Sequence, residues 1–154
     1  MRIYYLADHK DLIPVIAKWF FAEWSCFYPG KGLKDFEAMV LERANKDRLP
    51  LALLAMEGEE LLGVGCLKAK DMETRPELTP WLSGMYVAGE RRGRGIGAAL
   101  VRAVEEKAAG FGIKKLYLHT PKSAHFYASL GWRVRETTEY CGCSVTIMEK
   151  ELPA

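Results

Sequence analysis

Apolar residues along this chain change rhythm several times, and each change marks an element. Arg2 to Leu6 reads as a first strand. From Asp11 to about Ser25, Leu12, Ile13, Val15, Ile16, Trp19, Phe20, Phe21 and Trp24 leave little polar surface, which predicts a well-buried helix. Pro14 falls in its first turn, where a missing amide does little harm, and Asp11 is placed to cap it. Tyr28-Pro29-Gly30-Lys31-Gly32 is a loop by composition. Leu33, Phe36, Val40 and Ala44 then mark one face of a second helix.

The rhythm next becomes that of strands. Pro50 to Met56 and Leu61 to Ala69 flank the turn Glu57-Gly58-Glu59-Glu60, which predicts a hairpin. Lys70 to Pro80 is polar, carries two prolines and reads as a surface loop. Trp81 to Val87 is another strand. Ile96, Leu100, Val104 and Ala108 fall on one face of the helix that follows, where Arg102 and Glu106 are spaced to pair. That helix stops near Gly110 or Gly112. A strand at Lys115–His119, a short helix at Ser123–Leu130 ended by Gly131, and a hairpin of Trp132–Tyr140 with Cys143–Lys150 complete the chain. The alternation predicts one α/β domain over residues 1–154, a mixed sheet covered by helices.

Composition acts mainly by exclusion. With 22 Lys+Arg against 20 Asp+Glu, the net charge of +2 gives no case for a nucleic-acid partner. No apolar run has the length of a membrane span and the apolar stretch at the N-terminus is too short for a signal peptide, so a cytoplasmic location is expected. Cys26, Cys66, Cys141 and Cys143 form no disulfide framework. Cys141-Gly142-Cys143 lacks the second pair or nearby histidines of a zinc site, so reduced thiols and no metal are expected.

The chemistry concentrates at Met85-Tyr86-Val87-Ala88-Gly89-Glu90-Arg91-Arg92-Gly93-Arg94-Gly95-Ile96-Gly97-Ala98, where a strand enters a glycine–arginine loop that opens into a helix. Glycines allow close backbone approach, and the first helical amides have no partner inside the helix. With the helix dipole and Arg91, Arg92 and Arg94, they predict a pyrophosphate site. No Gly-Lys-Ser/Thr ending exists, which argues against a P-loop. Gly93-x-Gly95-x-x-Ala98 imitates a dinucleotide fingerprint, but the next strand ends in His119-Thr120 without the carboxylate that would hold a ribose. A dinucleotide-binding protein is the less favoured alternative.

A second motif, Phe126-Tyr127-Ala128-Ser129-Leu130-Gly131-Trp132, follows about thirty residues later. Together the two resemble the GNAT superfamily of acetyl-CoA-dependent N-acetyltransferases. In that family Arg/Gln-x-x-Gly-x-Gly/Ala binds the CoA pyrophosphate, and Arg92-Gly93-Arg94-Gly95-Ile96-Gly97 matches it. The resemblance implies a GNAT-like α+β fold, with a central sheet of about 6–7 strands flanked by about four helices. It implies acetyl-CoA as cosubstrate, with Met85, Tyr86 and Val87 gripping the pantetheine arm by their main chain and Arg92, Gly93, Arg94, Gly95, Ile96, Gly97 and Ala98 holding the pyrophosphate. Tyr127 is implied as the general acid for the departing thiolate. Many members carry Asn seven residues before that tyrosine, where this chain has Thr120.

The common family glutamate within the central strand is absent from Trp81–Val87. Glu77, Glu23, His119, His125 and solvent water all stay open as proton acceptor. Glu23, Trp24, Tyr28, Glu77 and Trp81, with Phe27, Asp71 and Glu73, supply aromatic faces and carboxylates suited to a cationic amine. A small-molecule amine or a peptide N-terminus fits, and a homodimer is compatible. The other functional class is a non-catalytic acyl-CoA-binding module.

Overall fold

The computed structural model describes residues 1–153. Seven strands, β1 (Arg2–Tyr5), β2 (Leu51–Glu57), β3 (Glu60–Lys68), β4 (Trp81–Val87), β5 (Lys115–Thr120), β6 (Arg133–Tyr140) and β7 (Cys143–Glu151), form one sheet in the order β1-β2-β3-β4-β5-β7-β6. Neighbours are antiparallel except β4 and β5, which are parallel, so the sheet is mixed as the alternating pattern predicts.

Four helices cover its two faces: α1 (Ile13–Trp24), α2 (Leu33–Leu41), α3 (Ile96–Gly110) and α4 (Ala124–Ser129). Alternation along β2 explains why both faces need covering. Leu51 and Leu53 point to the side where Val101 and Val104 of α3 and Trp132 pack. Ala52 and Leu54 point to the opposite side, against Ile16 and Phe20 of α1 and Phe36 and Val40 of α2. A strand buried on both faces carries a continuous apolar run rather than an alternating one. At the far end of the sheet a smaller cluster of Met72, Leu78, Trp81, Val145 and Ile147 closes the core.

Three local expectations need correction. The first helix begins with a short 3-10 turn at Lys10–Leu12, and Leu12 rather than Asp11 holds the N-cap position without a side-chain hydrogen bond. Arg102 and Glu106 make no ion pair among the described residues. Glu105 instead accepts from the Trp132 indole at 3.0 Å and from Lys150 at 2.8 Å, tying α3 to the last hairpin. The Lys70–Pro80 segment is not a simple surface loop, because Met72 and Leu78 are 2% and 3% exposed and anchor it to the sheet.

Two irregularities break the sheet where the cavity forms. Between β3 and β4, Val64 faces Tyr86 and Cys66 faces Ser83, so two residues, Gly84 and Met85, oppose Gly65 alone. Such a bulge bends a strand and sharpens its twist. Gly84 sits there with φ +57°. On its other side β4 pairs with β5 at Trp81–Tyr117 only. Beyond that point the two parallel strands splay apart.

Candidate active site

The splay opens a cavity of about 580 Å³ running from the glycine–arginine loop to the aromatic ends of α1 and β6. At one end lies the start of α3. Gly93 and Gly95 have φ +82° and +79°, a left-handed backbone that side chains resist, and no atom lies within 4 Å of where a Cβ would stand. The amide of Ala99 is the first to find an intrahelical carbonyl, that of Gly95. The amides of Ile96, Gly97 and Ala98 therefore remain free at the positive end of the helix dipole. A Cβ on Gly97 would come 3.3 Å from the Phe126 ring, so this glycine lets α4 pack close to α3.

The arginines divide their work. Arg92 donates from Nε to the Val87 carbonyl at 3.0 Å and lies over the Tyr86 ring, so the end of β4 fixes it. Arg91 lines the cavity but is paired with Glu60 through Nε at 3.1 Å. Arg94 is exposed and lies outside the cavity wall. Free amides, two unhindered glycines and a fixed guanidinium make a cradle that fits a pyrophosphate.

In mid-cavity, β4 contributes Met85, Tyr86 and Val87, and Tyr127 projects from α4. Past Trp81–Tyr117 the β5-facing main chain of β4 is unpaired, leaving backbone groups for an extended amide-bearing ligand. The Tyr127 ring packs edge-on to Phe126 at 5.0 Å and Trp132 at 6.3 Å. The residue is 8% exposed, and its hydroxyl makes no hydrogen bond among the described residues. Burial pushes the phenol up to about 12, so it holds its proton. Thr120 accepts a hydrogen bond from the Ser123 amide at 3.0 Å and shapes the turn that leads into α4.

The far end is aromatic and charged. Trp24, Phe27 and Tyr28 from the end of α1 and the turn after it face Tyr140 of β6, with the Phe27 and Tyr140 rings stacked at 5.9 Å. Trp19 stacks on Tyr86 at 4.9 Å and holds α1 against β4. Asp71 also lines this end, its side chain only 8% exposed, accepting from His119 Nε2 at 3.0 Å and ion-paired with Lys68 at 3.3 Å. Burial alone would raise its carboxyl, but the His119 hydrogen bond and the Lys68 charge hold it below the usual carboxylate range. His119 Nδ1 is enclosed and has no partner among the described residues. Arg43, just after α2, reaches the same cavity and is 5% exposed.

Most of the residues expected from sequence converge here: Glu23, Trp24 and Tyr28, Met85 to Val87, Arg92, Gly93, Gly95 to Ala98, and Tyr127. Arg94, Glu77 and Trp81 do not. Glu77 is exposed on the Lys70–Pro80 segment. Trp81 is fully buried beneath the site, its indole donating to the Leu78 carbonyl at 2.7 Å, and it backs His119 at 5.8 Å between ring centres. Arg43 and Tyr140 were not foreseen. Arg43 lies three residues past Val40 and seven past Phe36, in line with the buried face of α2 just beyond its end, and a charge at that position is its one signal in the sequence.

Comparisons with known proteins agree with this geometry. A family model described as "Acetyltransferase (GNAT) family" matches residues 14–132. Among solved structures, an aminoglycoside 6'-N-acetyltransferase complexed with coenzyme A superposes with a TM-score of 0.79 at 18% identity, covering 100% of this chain and 99% of that one. An aminoglycoside 6'-acetyltransferase type Ii gives 0.76 at 21% identity, with coverage of 100% and 99%. A ribosomal-protein-alanine N-acetyltransferase from Brucella melitensis gives 0.72 at 21% identity, with coverage of 99% and 100%. At such identities these likenesses concern the fold, and the match of the family model carries the assignment. The chain belongs to the GNAT family of acetyltransferases, an acyltransferase whose cosubstrate is acetyl-CoA.

Proposed function

We propose that this enzyme acetylates the primary amine of a small molecule by direct attack on the thioester, with Tyr127 as general acid. The observation behind this reading is the Tyr127 hydroxyl, without a partner among the described residues and held protonated at mid-cavity, between the glycine loop and the aromatic acceptor end. Bound acetyl-CoA supplies an activated acetyl group, so the protein's task is positioning and proton handling. Arg92 and the amides of Ile96, Gly97 and Ala98 hold the pyrophosphate, and the unpaired main chain of β4 aligns the arm that follows.

The amine nitrogen forms a bond to the acetyl carbon as the carbon–sulfur bond breaks. Tyr127 Oη gives its proton to the leaving sulfur and is later reprotonated from solvent. The proton shed by the nitrogen passes to water through the open mouth. Asp71, held below the usual carboxylate range, is a poor proton acceptor, and the free nitrogen of His119 is enclosed. Asp71 serves better as a hydrogen-bond acceptor that orients the amine.

Thiol release from acetyl-CoA, followed across a panel of primary amines with mass spectrometry of the products, tests the reading. Amine-dependent thiol release with an acetylated product is expected. Tight CoA binding with no product from any amine would make the chain an acyl-CoA-binding module instead.

A further inference from the structure

Arg43 is a buried cation at the cavity wall. Its residue is 5% exposed, yet no carboxylate lies within 4 Å of it among the described residues. Its guanidinium donates to Cys66 Sγ at 3.3 Å, a weak acceptor, and lies 5.5 Å from the centre of the Phe20 ring. Burial works against the charge, and Cys66 with the nearby Asp71 and Tyr28 favours it, yet no oxygen bonds the guanidinium among the described residues, so its fork is left for a ligand. The bulge keeps room for it: a Cβ at Gly84 would stand 2.9 Å from Arg43 Nη1. Arg43 opens onto the same end of the cavity as Asp71. His119 and Lys68 leave Asp71 with unused lone pairs. One pocket thus presents a forked cation and a carboxylate, flanked by Trp24, Phe27, Tyr28 and Tyr140.

We infer that the acceptor is an amino carboxylate, a small zwitterion whose carboxylate is received by Arg43 and whose amine is received by Asp71. This names the substrate class within the acetyl-transfer reading and rests on it for the fate of the amine. The guanidinium fork fits a carboxylate in bidentate fashion. The rings take an apolar side chain. A polycationic amine is disfavoured, because its further ammonium groups would meet the buried Arg43 charge.

Calorimetric titration of the CoA-loaded enzyme tests this without requiring turnover. The probes are matched pairs: phenylalanine against phenethylamine, tyrosine against tyramine, and leucine against isoamylamine. In the wild type the acid of at least one pair should bind about tenfold or more tighter than its decarboxylated partner, the scale of a hydrogen bond to a charged group. Arg43→Met should erase that preference, with a melting curve on the same preparation to show that the variant is folded. Arg43→Lys, which keeps the charge and loses the fork, should fall between. Equal or tighter binding of the decarboxylated amines across the pairs would overturn the inference, as would a preference that survives in Arg43→Met. Should that variant not fold, the wild-type pairs and Arg43→Lys decide. An acid that binds with the expected preference but is never acetylated would refute the transfer reading and leave the recognition standing.

Discussion

Replacing Tyr127 by Phe removes one oxygen and leaves the ring in place against Phe126 and Trp132. Two effects separate cleanly. The hydroxyl has no partner among the described residues and sits on a residue only 8% exposed, so folding gains little from it. Stability should hold or rise by up to about 1 kcal/mol, a shift of roughly 2–4 °C for a chain of this size. Catalysis should suffer, because the departing sulfur loses its proton donor. Loss of a general acid costs about 10²-fold or more in turnover. That corresponds to about 2.7 kcal/mol of barrier. The assay is thiol release at saturating acetyl-CoA, with a melting curve and a CoA titration on the same preparation. Turnover should fall at least about 10²-fold with CoA affinity unchanged. Turnover within about threefold of wild type would mean that the phenol only packs. The pH profile supplies a second reading. With burial pushing the Tyr127 phenol up to about 12, turnover should keep its plateau through pH 10, where a phenol of ordinary value would be half ionised.

Gly95→Glu should abolish CoA binding, because it forces a side chain into φ +79° and brings a negative charge to the cradle; normal affinity by calorimetry would remove the loop from cofactor binding. Asp71→Asn should raise the KM for the amine more than it lowers kcat, and a matching collapse of kcat would instead identify Asp71 as a proton acceptor. The same variant carries a stability signature. The folded carboxyl lies below its unfolded value, so its contribution is fully present above about pH 4 and is lost as pH falls through the folded value. Melting temperatures of wild type and Asp71→Asn should therefore differ at neutral pH and converge in strong acid, and a gap that widens there would reverse the assignment. Gly84→Ala should destabilise by about 1–3 kcal/mol in urea unfolding, since its Cβ at φ +57° would meet Arg43, Cys66 and Phe20 within about 3 Å.

The sequence exposes those parts of the molecule whose physics is local. Strand and helix rhythms follow from which face must be buried, and the glycine loop is legible because left-handed backbone and free amides leave a compositional mark. The acceptor end is different, because its members meet only in three dimensions. Asp71 sits in a segment that reads as solvent-facing until Met72 and Leu78 are seen to pin it down. Trp81 looks available to a substrate because it is aromatic and near a loop. Alternation along β4 instead sends it into the cluster with Val145 and Ile147. Tyr140 reaches the cavity from β6, which joins the sheet only through β7. Neither the register of that last hairpin nor the parting of β4 from β5 leaves a trace in residue types alone.

The single β4–β5 pairing at Trp81–Tyr117 also bears on how this sheet avoids its neighbours. Exposed strand edges invite other chains to add on, and most proteins blunt them with charge, proline or a cover. Here two interior edges face each other across a wedge, closed at one end by a buried indole and roofed by helices. A single unbranched chain carrying amides can lie along one of them. The fold thus keeps an unpaired edge inside the molecule, lining the cavity instead of facing other chains.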